Sequence, residues 1–360
     1  MTANQQIDGS AMARAALSFL LAAQDGAGAW KDFLLPAGHS NVWVTAFVGD
    51  VVALTQEAEA QQAARRGWQF LETVTTQEGG WSYNPLVPGD GDSTLWGLRL
   101  AERLGVEETP AARQAATFLQ RHLRDGGLTT YADAAPVRRY IGLPPVVPFR
   151  GWTQAHVCVT AAGANLADYR EPFREYLLTK QADDGRWPAY WWFDDEYATA
   201  EAVAALAGQA HTAADCEPEI AARIERAVGW ARERVEVLCA AEGRLQPAFA
   251  LAHGLRVLAR AGDGASVRAQ ISAALTRLAA WQKPNGGWPA SARLRVPRPD
   301  ALVPDPAADW KMWAGMPAVP VSLESVLQHT FNNYSPDHFG VYTTATVLRA
   351  LQELSTRRQM

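Results

Sequence analysis

What constrains this chain most is a repeat: a glutamine, three residues, a glycine, one residue and a tryptophan. Full copies stand at Gln24…Gly28…Trp30, Gln181…Gly185…Trp187 and Gln282…Gly286…Trp288. Two degenerate copies lie between them, Gln77-Glu78-Gly79-Gly80-Trp81 and Arg124-Asp125-Gly126-Gly127. Each follows a stretch with apolar residues at three- and four-residue spacing, such as 63–76 or 266–282, which is the pattern of an amphipathic helix. A glycine in that place predicts a left-handed cap that stops the helix. Repeats of this kind signal an array in which each unit buries its apolar face against the next. The tryptophans of the repeat, Trp30, Trp81, Trp187 and Trp288, are expected to serve this packing rather than a site.

A second repeat interleaves with the first. Asn41-Val-Trp43-Val-Thr45, Asp90-Gly-Asp92-Ser-Thr94, Asp195-Glu-Tyr197-Ala-Thr199 and Gly340-Val-Tyr342-Thr-Thr344 each open an apolar, Ala-rich segment. Looser copies begin near Thr153–His156 and Pro247–Phe249. These six segments are apolar nearly all round and read as buried helices, whereas six amphipathic ones begin near Ala11, Ala63, Pro110, Tyr169, Pro218 and Ser266. Six of each in alternation predict an all-α fold, an (α/α)6 toroid with an inner and an outer ring, spanning 1–360 as a single barrel domain. Two connections are long and rich in proline, residues 131–152 and 289–339, and the second carries Trp310 and Trp313. Loops of such length are usually functional, and both are expected over one mouth of the barrel.

Composition narrows the partners. Hydrophobic residues make up 48% and charged ones 20%, enough for a large core. A net charge of −5 argues against nucleic acid, which needs a basic face. No apolar run reaches the length of a membrane span, and residues 1–10 lack the regions of a secretory signal, so the expected location is the cytoplasm. Cys158, Cys216 and Cys239 are too few and too scattered for a disulfide framework or a zinc knuckle.

At this point the residues resemble a family. The Gln-xxx-Gly-x-Trp repeats are similar to the QW motifs of the squalene-hopene, oxidosqualene and related diterpene cyclases. Asp90-Gly-Asp92-Ser93-Thr94 looks like their DxDD-Thr segment, with Ser93 at the third acidic position. The resemblance implies a class II, proton-initiated cyclase acting on an alkene or polyene, with Asp92 as the proton donor, Asp90 as its neighbour, and no cofactor. Protein prenyltransferase β subunits share the toroid. Their zinc site would need a thiolate where Asp92 stands and a histidine near Thr343 or Thr344, so no metal is expected.

Protonating an alkene requires a carboxyl group that keeps its proton near neutral pH. Burial and a second carboxylate both push in that direction, while a helix N-terminus opposes them by about 0.3–1 kcal/mol. Asp90 and Asp92, two apart in an extended entry to a helix, are expected to share a side and a proton. The bland alternative is that Asp92 or Ser93 simply caps the helix. A cation formed next needs aromatic faces. Trp43, Tyr197 and Tyr342 occupy the position of Asp92 in other repeats, and Trp96, Trp152, Trp191, His156, Phe249 and Trp310 join them as expected substrate-binding residues, with Tyr190 and Trp192 nearby. His39 or His156 is a candidate to hydrogen-bond Asp92. Arg138, Arg139 and Arg150 are candidates for a diphosphate but read more simply as a basic loop. Asp194-Asp195-Glu196 reads as a solvated acidic run. Two other functions stay open: a hydrolase or lyase using paired carboxylates on a polar or sugar-like substrate, marked by an open acidic groove, and a non-catalytic toroid binding an apolar ligand or a partner, marked by a filled centre.

Overall fold

A computed structural model describes residues 9–242, 246–312 and 331–358. Among these the chain forms thirteen α-helices and only short strands. The inner helices are α2 (Val42–Ala53), α4 (Gly91–Leu104), α7 (Val157–Gly163), α9 (Asp195–Ala207), α11 (Ala248–Leu258) and α13 (Val341–Arg358). Each packs on the next, and α13 packs on α2, so the ring closes. Every residue of α2 and of α11 is buried, as befits a helix with neighbours on all sides.

The outer helices are α1 (Gly9–Ala23), α3 (Ala58–Thr73), α5 (Pro110–Gln120), α8 (Arg170–Lys180), α10 (Pro218–Ala240) and α12 (Ala265–Trp281). They bury one stripe each; in α3 it is Ala60, Ala63, Ala64, Gly67, Trp68 and Leu71. The (α/α)6 toroid expected from the two interleaved repeats is therefore present. One further helix, α6 (Ala134–Ile141), lies in the first long loop. The strands are confined to the loops: β1 (Asp32–Leu35) pairs with β2 (Gly38–Ser40), and β3 (Arg293–Val296) with β4 (Asn333–Pro336).

The glutamine repeat holds the rings together through side chains. Gln24 Nε2 donates to Gly28 O and, across to the next outer helix, to Ala63 O. Gln181 does the same to Gly185 O and Arg223 O. Gln282 reaches Gly286 O and Met12 O, joining the last outer helix to the first. The indole N–H of Trp30, Trp81, Trp187 and Trp288 donates to Leu20, Leu71, Leu177 and Leu278 O respectively. Those carbonyls belong to the last turns of outer helices, where backbone donors run short; Leu71 O and Leu278 O also accept from Val74 N and Gln282 N. The main-chain N–H of Trp30, Trp81, Leu128, Trp187 and Trp288 donates to Thr45, Thr94, Thr160, Thr199 and Thr344 Oγ1. The threonine of the second repeat is thus the partner of the tryptophan of the first.

The glycine has a different task from the expected helix cap. α8 and α12 already end at Gln181 and Gln282, whose backbone is extended, and the glycine comes later, in the tight turn that follows. There it has φ +90° at Gly28, +99° at Gly185 and +89° at Gly286. A Cβ on Gly286 would stand 2.2 Å from Ala15 O of the neighbouring helix. We therefore expect Gly286→Ala to destabilise the protein by about 1–3 kcal/mol or more, through strain and steric overlap together. Gly229→Ala, in open space on α10, should instead be neutral or stabilising by up to about 1 kcal/mol. Urea unfolding of the two variants reads both effects.

Candidate active site

The inner helices meet side by side in register, so residues at i, i+4 and i+7 form layers down the bore. The layer of Asp92 contains Trp43, Cys158, Tyr197, Phe249 and Tyr342. Next come Phe47, Trp96, Ala162, Glu201, His253 and Thr346, and then Asp50, Arg99, Asn165, Ala204, Arg256 and Arg349. Contacts within layers confirm the register. Trp43 and Tyr342 have ring centroids 5.0 Å apart, and Arg99 Nη2 lies 3.5 Å from Asp50 Oδ2. Parallel inner helices follow, with their N-termini at the end that holds Asp92.

Asp90, not Asp92 or Ser93, caps α4. Its backbone is extended, its Oδ1 accepts from Ser93 N at 2.7 Å and its Oδ2 accepts from Ser93 Oγ at 2.8 Å. Burial lifts its carboxyl to about 7 in spite of these bonds. Asp92 falls inside the first turn of the helix, and no hydrogen bond or ion pair reaches its carboxyl group among the described residues. It is enclosed by protein yet keeps accessible surface, so it borders an internal space. Burial raises it well above the ordinary carboxylate range, and the charges of Asp90 and Glu201 add to the rise. The helix N-terminus opposes this by about 0.3–1 kcal/mol, and burial prevails. The two carboxyl groups are not hydrogen-bonded to each other, because the cap turns Asp90 back toward the main chain of its own helix start.

Aromatic rings make the wall facing Asp92. Trp192, carried on the loop before α9, has its ring 5.0 Å from Tyr197, 5.1 Å from Phe249, 5.4 Å from Tyr342 and 5.9 Å from Trp43. Phe47 stacks on Tyr342 at 4.0 Å and meets Trp96 edge-on at 4.8 Å. Among the described residues, the hydroxyls of Tyr197 and Tyr342 and the indole nitrogens of Trp43 and Trp96 have no hydrogen-bond partner.

Below the rings an ion network forms a floor. Glu201 Oε1 pairs with Arg256 at 2.7 Å and with Arg349 at 3.1 Å, and its Oε2 pairs with Arg99 at 2.9 Å. Burial alone would raise Glu201, but Arg256, Arg349 and Arg99 hold it well below the usual range. Asp50, bonded by Arg103 and near Arg99, is held down in the same way against its burial. The Arg99 guanidinium lies over the Trp96 ring at 4.1 Å. A surface hollow of ≈ 960 Å³, lined by Leu54, Gln352 and Ser355 among others, opens at the C-terminal end of the inner helices, away from Asp92.

Among solved structures, the chain is similar to the type II terpene cyclase MstE from Scytonema in complex with geranylgeranyl dihydroxybenzoate, its substrate. The TM-score is 0.87 at 34% identity, covering 97% of this chain and 98% of that one. MstE is also known in complex with merosterolic acid A, its product. A protein from Actinoplanes matches with TM-score 0.82 and 37% identity, over 97% of this chain and 100% of the other. The chain belongs to the type II terpene cyclases. An unsaturated glucuronyl hydrolase specific for heparin covers 98% of both chains at TM-score 0.55, but at 12% identity it shares the fold alone. Neither a family model nor a curated protein matches the sequence.

In this cyclase several residues expected at the site stand together, and others do not. Trp43, Trp96, Tyr197, Phe249 and Tyr342 share the bore with Asp92. Trp152 and Trp191 pack on each other at 5.4 Å. His156 bonds Thr130 Oγ1 and Gly151 O, and His39 bonds Phe33 O, so neither reaches Asp92. Burial lowers His156 to about 4, which keeps it neutral. Trp310 rests on Phe193 and near Arg295, with its indole N–H on Asp305 O; it has no ring contact with the bore. Trp313 lies outside the described residues.

The acidic run is mostly withdrawn from solvent, with Asp194 and Glu196 buried and Asp195 partly exposed. Asp194 pairs with Arg293, Asp195 with Arg186 and Glu196 with Arg234. Arg138 lies over Phe149 and donates to Val147 O, while Arg150 donates to Asp300 O; both are tied into the loops, and Arg139 is exposed. Glu201, Arg99, Arg256 and Arg349 were not expected at all. The available signal was a charged residue within a helix otherwise apolar all round, four or seven residues beyond the aromatic position. Removing the anion at the centre leaves three buried guanidinium groups facing one another. Glu201→Gln should therefore cost about 3–5 kcal/mol of stability, measured by urea unfolding; a loss below about 1 kcal/mol would show that the network does not hold the floor.

Proposed function

We propose that Asp92 is the general acid that starts cyclisation by giving its proton to an alkene of a hydrophobic polyene. The observation that carries this is the Asp92 carboxyl group itself: buried, raised, without a partner among the described residues, and bordering the interior. Its unengaged O–H can point at a double bond. The alkene carbon takes the proton, its neighbour becomes the cation, and the next double bond attacks that cation to close a ring. Asp90 acts through electrostatics, since its charge keeps the Asp92 proton on and its own oxygens are engaged at the cap. The rings of Trp43, Trp192, Tyr197, Phe249 and Tyr342 offer π faces, each contributing about 0.5–2 kcal/mol toward a desolvated cation.

Hydrolysis by paired carboxylates has little to draw on. Glu201 and Asp50 are neutralised by arginines, and Asp90 is the cap. A polyene chain suits the aromatic lining of the bore, and a prenylated acidic arene, as MstE takes, would find Arg295 on the loop before the site. That guanidinium is bonded to Ala189 O and Tyr190 O and forms no ion pair among the described residues. The two long loops are stitched together where Gly151 N meets Pro299 O and Trp152 Nε1 meets Pro297 O. We assign this pair of loops to shielding the cation from water. No described helix is long and apolar enough to cross a membrane. The three cysteines are free, which fits the reducing cytoplasm of this reading.

Asp92→Asn should abolish turnover with the fold retained, because an amide has no proton acidic enough to give; full activity in that variant would refute the mechanism. Asp90→Asn should cost about 10²-fold. The reactive form of Asp92 is protonated, so wild-type turnover should fall as pH rises through the raised titration of the pair. Stability should fall as well, beginning at lower pH. The native carboxyls bind protons at a pH where the unfolded chain has already lost them, and stability declines from the unfolded value of about 4 upward to the folded one. Melting temperatures against pH should show a shallower decline for Asp92→Asn than for the wild type.

A further inference from the structure

We infer that Trp192 sets how long a prenyl chain this cyclase accepts, by closing the half of the bore that lies across from Asp92. The inference rests on the polyene reading above, but it comes from a different observation. Around the inner ring the order is α2, α4, α7, α9, α11, α13, which places α11 opposite α4. Trp192 lies against Phe249 of α11 and against the rings flanking it on α9 and α13, with interplanar angles of 29°, 32° and 28°. Phe33 of β1 covers it at 5.9 Å. All of these rings are almost fully buried, whereas Asp92 alone in its layer keeps appreciable accessible surface. The space a substrate can use is therefore on the Asp92 side, and its far wall is the Trp192 indole.

The way Trp192 is held suits a depth stop. It belongs to no inner helix; it is carried on residues 188–194, between the fourth repeat turn and α9. Its backbone bridges to Leu294, Phe193 N donates to Arg293 O, and Arg295 clamps the carbonyls of Ala189 and Tyr190. A change at residue 192 thus resizes the bore without altering the helices that hold the acid. The ring is larger than one isoprene unit, so its removal opens room for a longer chain. A centre filled by Trp192 is accordingly a wall fixed to a loop, not a core that excludes every substrate.

The test compares wild type, Trp192→Phe and Trp192→Ala on geranyl, farnesyl and geranylgeranyl dihydroxybenzoate. In Trp192→Ala the ratio of kcat/KM for the longest chain over the shortest should rise by about tenfold or more, with Trp192→Phe between. Calorimetric binding of the same three compounds to the Asp92→Asn protein, with and without the Trp192 substitutions, should show the same reordering of Kd. Melting temperatures, with Trp192→Phe as the mild variant, separate resizing from unfolding. A substitution that only loosens packing would lower all three substrates alike. Unchanged ratios in both turnover and binding would overturn the inference, whereas turnover by Asp92→Asn would overturn the acid and leave the length ratios to stand on their own.

Discussion

The architecture depends on a clamp between neighbouring outer helices. A glutamine carboxamide donates both to its own glycine turn and to a carbonyl of the following helix, and the glycine lets the backbones approach where any side chain would collide. The clamp of Gln282 is the decisive one, because its partner is Met12 and its glycine abuts Ala15. That contact turns a row of helix pairs into a ring. In four turns the tryptophan then ties an outer helix end to the first turn of an inner helix through a threonine hydroxyl, and Leu128 N bonds Thr160 in the same way, which sets these inner helices to a common height.

Common height has chemical consequences. Positions that would be scattered in an open solenoid become rings of six, and each ring has its own character. Aromatic residues crowd the level of Asp92, and below them charge gathers around Glu201. Three arginines satisfy one carboxylate so fully that the floor carries little unpaired negative charge. Asp92, one level up and without such a partner, experiences burial and the neighbouring anions only. The same interior thus holds one carboxylate strongly ionised and another strongly protonated, with the difference set by where the guanidinium groups reach.

The fold was legible because its signals are local. Helical periodicity, the glutamine-glycine-tryptophan turn and the threonine-bearing starts of inner helices are all read within a dozen residues, and counting them yields the number of pairs. Asp90 and Asp92 were legible as a pair for the same reason, and the aromatic equivalents Trp43, Tyr197 and Tyr342 followed from repeat alignment. The division of labour between the two aspartates was not legible. Capping preference attaches to a residue type near a helix start, and only the backbone shows that Asp90 is the extended residue and Asp92 the helical one. Asp194, Asp195 and Glu196 failed in the opposite sense: a run of acids looks solvated until Arg293 and Arg234 arrive from distant segments and Arg186 folds back from the preceding turn.

By itself, then, the sequence determined the helical pairs, their number, the turn chemistry that joins them and the residue types at each inner helix start. Tertiary structure alone decided which carboxylates are neutralised, which histidines are already occupied, and that Trp192 packs on Phe249 of α11, across the ring from the helix of Asp92. Periodicity and turn preference act between residues close in the chain, where spacing encodes them. Ion pairing, desolvation and ring stacking act through space, and their partners here, Glu201 with Arg349 or Trp192 with Tyr342, stand about 150 residues apart and meet only when the ring closes.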